Sequence, residues 1–176
     1  MSYPITPPAL NRPVCIVTGG SFGIGDAVCE KFSTEGYIVI NLDIQANPAQ
    51  SKAIDWRKCD VSVSSQVSES IQLAIKQYGS VDCLVSNAGI HFSGTIEDTD
   101  EKDFEQVFGL NVKGAIAATK AVLPQMKSQQ SGVILYMASD QALIAKHNSF
   151  VYNMSKAALA SMAKTTALDY AKYQIR

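Results

Sequence analysis

The sequence predicts an α/β fold, a doubly wound parallel sheet, and three observations predict it. Short apolar runs alternate with segments whose apolar residues recur at helical spacing, the pattern of parallel strands joined by right-handed crossover helices. A glycine-rich stretch, Thr18-Gly19-Gly20-Ser21-Phe22-Gly23-Ile24-Gly25, separates the first apolar run from the first helical segment. The last apolar run, Val133-Ile134-Leu135-Tyr136-Met137, is unbroken, as expected of a strand buried on both faces.

Residues 1–12 contain Pro4, Pro7 and Pro8 and lack the apolar core of a signal peptide, so they read as an extended arm ahead of one domain over 13–176. Val14 to Val17 is the first strand. Ile24, Val28 and Phe32, four residues apart, mark the first helix. Tyr37 to Ile40 is the second strand and runs into Asn41-Leu42-Asp43. Ile44 to Asp55 is polar, and Pro48 forbids a long helix there. Trp56 to Cys59 is a short third strand ending at Asp60-Val61. Ser62 to Ser65 offer caps for a helix whose buried face is Val67, Ile71, Ala74, Ile75 and Tyr78, and which stops at Gly79. Cys83 to Ser86 is the fourth strand and leads into Asn87-Ala88-Gly89. The acidic run Asp98 to Asp103 opens one long helix, with Phe104, Phe108, Val112, Ala115, Ala118 and Val122 along one side and Pro124 bending its last turns. A polar loop follows the fifth strand. The last helix runs from near Tyr152 to about Lys172 and is rich in small residues, which suits close packing against a sheet or a partner helix.

Composition narrows the function. Apolar residues make up 47% and charged residues 18% of 176, which is globular rather than disordered. The net charge of −1 argues against a nucleic-acid surface or a polybasic membrane patch. No apolar run approaches the ~18 residues of a membrane-spanning helix. Cys15, Cys29, Cys59 and Cys83 are widely spaced and only His91 and His147 add imidazoles, so neither a zinc site nor a disulfide framework is expected. Reduced cysteines point to the cytoplasm.

The glycine stretch has three readings. It can be a plain turn. It also spells G-x-S-x-G, the elbow of a serine hydrolase, but a hydrolase elbow follows several strands and borrows an oxyanion donor from an upstream loop, whereas one strand precedes this one. The third reading is a dinucleotide site. Glycines let the backbone turn tightly beside a ligand, and the helix N-terminus that follows suits a phosphate. Asp43 stands about 20 residues on, where an acid holds ribose hydroxyls. Farther along, Tyr152 and Lys156 stand one helical turn apart on one face, and the loop after Ser139 can fold that hydroxyl back toward Tyr152. A phenol is a poor acid–base group at neutral pH. A lysine charge ~5 Å away favours its ionised form by roughly 3 kcal/mol at an effective dielectric of about 20.

With T-G-x-x-x-G-x-G and Y-x-x-x-K both present in order, the chain from Val14 to Arg176 resembles the short-chain dehydrogenase/reductase family in its compact, NAD-dependent form, a Rossmann fold. The resemblance implies a cofactor turn of Gly19, Ser21, Phe22, Gly23, Ile24 and Gly25. It also implies that Asp43, with Ile44 beside it, binds the adenosine ribose and that Asp60 and Val61 flank the adenine. Asn87, Ala88 and Gly89 match the family's N-A-G turn, with Ser86 where the family usually has another Asn. Asn111, Ser139, Tyr152 and Lys156 form the catalytic set, Asn111 holding a water that links Lys156 to solvent and Lys156 also bonding the nicotinamide ribose. His91 and His147 are expected to face solvent.

The resemblance further implies hydride transfer between NAD(H) and a secondary alcohol or ketone, in a cytoplasmic homodimer or homotetramer with no nucleic-acid or membrane partner. Gln141, Lys146, His147 and Asn148, in the loop the family places beside substrate, hint at a sugar or hydroxy acid. The alternative is a non-catalytic dinucleotide-binding fragment or regulatory protein. Relative to the family the sequence lacks the sixth and seventh strands and the segment that covers the substrate, so Val133 to Met137 is expected as an exposed sheet edge.

Overall fold

The structure, a computed structural model, describes residues 12–176. Five parallel strands, β1 (Val14–Thr18), β2 (Ile38–Asp43), β3 (Ile54–Lys58), β4 (Cys83–Ser86) and β5 (Val133–Tyr136), form one sheet in the order β3-β2-β1-β4-β5. The order reverses direction beside β1, so the loops after β1 and β4 open side by side at the carboxyl ends of the strands, where a doubly wound sheet binds its ligand. The extended arm expected over residues 1–12 lies outside the described residues except for Arg12, whose guanidinium donates to the carbonyls of Gly36 and Tyr37.

Two layers of helix bury the sheet. α2 (Ser64–Tyr78) and α4 (Gly114–Gln129) cover one face, where Val67, Ile71, Ala118, Val122 and Met126 pack on Val14, Ile16, Ile40 and Leu84. α1 (Gly23–Thr34) covers part of the other, closing Cys29, Val28 and Phe32 over Cys15, Val17, Val39 and Val85. All four cysteines are buried free thiols, and burial pushes those of Cys29 and Cys59 up. No helix among the described residues is long and apolar enough to cross a membrane.

Several elements differ from expectation for identifiable reasons. β3 starts two residues early, at Ile54, because pairing with β2 from Val39 onward sets its register. α2 is preceded by Val63 with no side-chain cap; Ser62 instead donates its hydroxyl to Asp60. The long helix is three pieces: α3 (Glu101–Phe108), capped by the Asp100 carboxylate on the Asp103 N–H, a π-helical turn over Gly109–Lys113, then α4, which continues through Pro124. α5 (Phe150–Tyr170) begins two residues before Tyr152.

β5 is not buried on both faces. It is the last strand of the sheet, and Leu135 is 47% exposed because little covers its outer side. Its edge is not wholly bare either: Ile175 forms a parallel bridge with Gly132, and Ile134 N–H donates to the Arg176 carbonyl at 2.8 Å. The small residues of α5 are mostly exposed; its buried positions are Val151, Ser155, Lys156 and Leu159, all in the half that reaches the sheet.

Candidate active site

Five loops at the carboxyl ends of the strands enclose one cavity of about 1260 Å³. Gly19, Phe22, Ile24 and Gly25 line it from the turn after β1, Asp43 and Ile44 from the end of β2, and Asp60 and Val61 from the loop after β3. Asn87, Ala88, Gly89 and His91 follow from β4, and Ser139 and Asp140 from β5. Tyr152 and Lys156 close it from α5. The fold therefore gathers most of the residues singled out in the sequence, although they span more than a hundred positions. Ser21, Gly23 and Asn111 are not among the lining residues; Ser21 and Asn111 are buried, whereas Gly23 is exposed at the start of α1.

The glycine turn is held from below by a polar knot that sequence reasoning missed. Asn41 is fully buried in mid-strand β2. Its Oδ1 accepts from the Gly20 N–H at 3.0 Å, and its Nδ2 donates to Ser21 Oγ and to Gln50 Oε1, both at 3.0 Å. Gln50 in turn donates to the Gly20 carbonyl and to Asp26, each at 2.7 Å. An amide amid the apolar residues of β2 was the available signal, since buried polar side chains are kept for the hydrogen bonds they make. Ser21, buried in this knot, donates its hydroxyl to the Gln45 carbonyl and so faces away from the cavity.

The far side of the turn is tied to β4. Thr18 Oγ1 accepts from the N–H groups of Asn87 (3.1 Å) and Ala88 (3.2 Å), while Asn87 Nδ2 donates to the Gly19 carbonyl at 2.8 Å. Gly19 has φ +64°, and a Cβ there would lie 2.8 Å from Ala88 Cα, so only glycine fits. Asp43 lines the cavity with both carboxylate oxygens oriented, Oδ2 by the Ser21 N–H (3.0 Å) and Oδ1 by the Gln45 N–H (3.1 Å). A carboxylate accepts about four hydrogen bonds, so capacity remains for ligand hydroxyls.

The π turn carries the catalytic end. Such turns insert one residue into a helix and often mark functional sites. Here the turn aims Asn111, 1% exposed, away from solvent. Asn111 Oδ1 accepts from the Ile90 N–H at 2.8 Å, and Nδ2 donates to the Ile90 carbonyl and to Ser155 Oγ, both at 3.0 Å. Both amide donors are therefore committed, and the side chain pins the loop after β4 to α5. Ser155 completes the link by donating to the Tyr152 carbonyl at 2.8 Å. Sequence reasoning gave Ser155 no role. Ser155→Ala strands one Asn111 donor in a buried site and is expected to cost about 1–3 kcal/mol in urea unfolding; a loss under about 0.5 kcal/mol would refute the link.

Lys156 is 4% exposed and donates to the Met137 carbonyl at 2.6 Å. Burial weakens its hold on its proton, moving its pKa below the ordinary lysine value. Its ammonium lies 5.5 Å from the centre of the Tyr152 ring. His91 packs on that ring at 4.6 Å between centroids, tilted 60°, with Nε2 3.2 Å from Ser149 Oγ. His91 is an exposed loop residue, as expected, and also lines the cavity against the Tyr152 ring; His147 is exposed outside it. Gln141, Lys146, His147 and Asn148 do not line the cavity either, because the chain folds into a short turn at Asp140–Ala142 and presents Asp140 instead. No group of three or more His, Cys, Asp or Glu residues among the described residues is placed to hold a metal ion.

This geometry fits a dinucleotide: a glycine cradle that a Cβ would fill, a helix N-terminus facing it, and an oriented carboxylate beyond. Comparison with known proteins agrees. Residues 13–176 match the family described as short chain dehydrogenase. A 2-(R)-hydroxypropyl-CoM dehydrogenase from Xanthobacter autotrophicus is 35% identical over 93% of this chain and 70% of its own length. An NAD-dependent glycerol dehydrogenase from Listeria innocua is 31% identical over 94% of this chain and 68% of its own. The ligand-free aldohexose dehydrogenase of Thermoplasma acidophilum superposes with a TM-score of 0.89 at 39% identity, over 94% of this chain and 64% of that one.

Proposed function

Because the chain belongs to the short-chain dehydrogenase/reductase family, we propose that it transfers a hydride between NAD(H) and a secondary alcohol or its ketone, the substrate being a sugar or hydroxy acid. The observation that carries this reading is Tyr152 and Lys156 one turn apart on α5, in one cavity with Ser139 and the glycine turn. When bound, the nicotinamide supplies the two-electron acceptor. As its phenolate Tyr152 would take the carbinol proton at Oη, the C–H electron pair going to the nicotinamide, and as the phenol it would return that proton in the reducing direction. Ser139 donates to the substrate oxygen. Lys156, with its weakened hold on a proton, passes one toward solvent and bonds the nicotinamide ribose. Asn111 and Ser155 keep Tyr152 in register with the loop after β4. Gly19, Phe22, Gly23, Ile24 and Gly25 cradle the pyrophosphate side, Asp60 and Val61 the adenine. A screen of secondary alcohols with NAD, read by NADH absorbance, tests the reading. NAD binding without turnover of any alcohol would favour a regulatory dinucleotide-binding protein.

NAD rather than NADP is supported by Asp43. Its carboxylate accepts ribose hydroxyls and repels a 2′-phosphate. The lysines lining the cavity are Lys113, paired with Glu105 at 3.0 Å, and Lys156 at the far end, while Lys58, beside Asp43 in the β2–β3 register, lines a separate pocket. Asp43→Ser is expected to weaken NAD binding about tenfold or more and to narrow the gap to NADP, measured by titration calorimetry. Tighter NADP than NAD binding by the parent protein would sink the assignment. The reading includes a cytoplasmic homodimer or homotetramer; the four buried free thiols support a reducing compartment, and light scattering checks the assembly.

A further inference from the structure

Asp140 follows Ser139 and lines the same cavity. Its Oδ1 accepts the Ser139 hydroxyl at 2.8 Å and the Gln141 N–H at 2.8 Å, while Oδ2 has no partner among the described residues. The Ser139 hydroxyl has a single proton. In this arrangement that proton is spent on Asp140, whereas the proposed reaction needs it on the substrate oxygen. Asp140 is exposed, so water takes the place of the Ser139 hydroxyl unless the substrate brings a donor of its own to the carboxylate.

A substrate with a second hydroxyl next to the reacting carbinol supplies that donor. Adjacent hydroxyls of a diol sit at about hydrogen-bonding separation, so one reaches Asp140 while the other takes the Ser139 proton. A simple alcohol leaves that place to water, and a carboxylate beside the carbinol repels Asp140. Of the cations lining the cavity, Lys113 is paired with Glu105, and Lys156 donates to the Met137 carbonyl beside the Tyr152 ring. Resting on the dehydrogenase reading above, we propose that Asp140 selects uncharged vicinal diols and α-hydroxy ketones, recognising the neighbouring hydroxyl and releasing Ser139 for the reaction. This narrows the substrate from sugar or hydroxy acid to the neutral polyhydroxy class.

Three small alcohols of similar size test it with the full chain and NAD: 1,2-propanediol, 1-methoxy-2-propanol, whose neighbouring oxygen cannot donate, and lactate. The expected kcat/KM for the diol exceeds each of the others by at least tenfold. Asp140→Ala should bring all three within about threefold. Asp140→Asn, which keeps an acceptor and loses the charge, should remove the lactate penalty while retaining part of the diol preference. Equal or better turnover of the methoxy compound by the parent protein overturns the proposal, as does an unchanged preference in Asp140→Ala. Absence of turnover with every alcohol speaks against the dehydrogenase reading alone. In that case saturation-transfer NMR on the NADH-loaded protein reads the site directly. Preferential, Asp140-dependent contact with the diol supports the assignment, and equal contact by the diol and the methoxy compound overturns it.

Discussion

Tyr152→Phe is expected to lower kcat by about 10²–10⁴-fold while leaving the dissociation constant for NAD within about threefold. The substitution removes one oxygen and keeps the ring. That ring is held between His91, at 4.6 Å, and the Lys156 ammonium, at 5.5 Å, and its backbone is fixed by the Ser155 hydroxyl at 2.8 Å. None of these contacts needs the phenolic oxygen, so the pocket and the glycine cradle stay as they are. What is lost is the atom that accepts and returns the carbinol proton. A loss in kcat without a loss in cofactor affinity is the signature of an interaction made only in the transition state. Turnover by Tyr152→Phe within tenfold of the parent would remove Tyr152 from the chemistry.

Gly25→Ala should abolish cofactor binding by a different route. Gly25 lies in the first turn of α1, and a Cβ built there would sit 2.0 Å from the Gly19 carbonyl oxygen and 2.6 Å from Asn87 Nδ2. The first neighbour is backbone, and it is the carbonyl that Asn87 Nδ2 already holds at 2.8 Å. Relief requires α1 to move off the turn after β1, which pulls the helix N-terminus away from where a pyrophosphate lies. Overpacking of this kind costs typically 1–3 kcal/mol, and about 2–4 °C in melting temperature per kcal/mol for a chain of this size. NAD affinity is expected to fall by at least a hundredfold, beyond what that stability loss explains. Calorimetric titration and a thermal melt on one preparation separate the two effects. NAD binding within threefold of the parent would show that the cradle tolerates the displacement.

Much of the architecture was legible because it follows from local chain properties. Val14 to Val17 and Cys83 to Ser86 are short apolar runs closed by turn residues, and both are central strands. Tyr152 and Lys156 share a helix face by the period of the helix alone. The π turn at Gly109–Lys113 was not legible, since one inserted residue barely disturbs a helical pattern, yet that residue is why Asn111 reaches Ile90 and Ser155. Nor was the knot of Asn41, Gln50 and Asp26, whose members meet only after β2 and α1 pack side by side.

By itself the sequence determined the alternation of strands and helices, the glycine turn with its acid one strand later, the tyrosine–lysine pair, and through these the family. Each is set by neighbours within a turn or a strand, where dihedral preference and apolar spacing act. Tertiary structure alone decided what each side chain faces. It turned Ser21 inward and His91 onto Tyr152, and presented Asp140 to the cavity in place of Gln141, Lys146, His147 and Asn148. It left Leu135 exposed where the unbroken apolar run suggested burial on both faces. Burial and hydrogen-bond partnership depend on which distant element arrives alongside, as Asn111 meeting Ile90 and Ser155 shows.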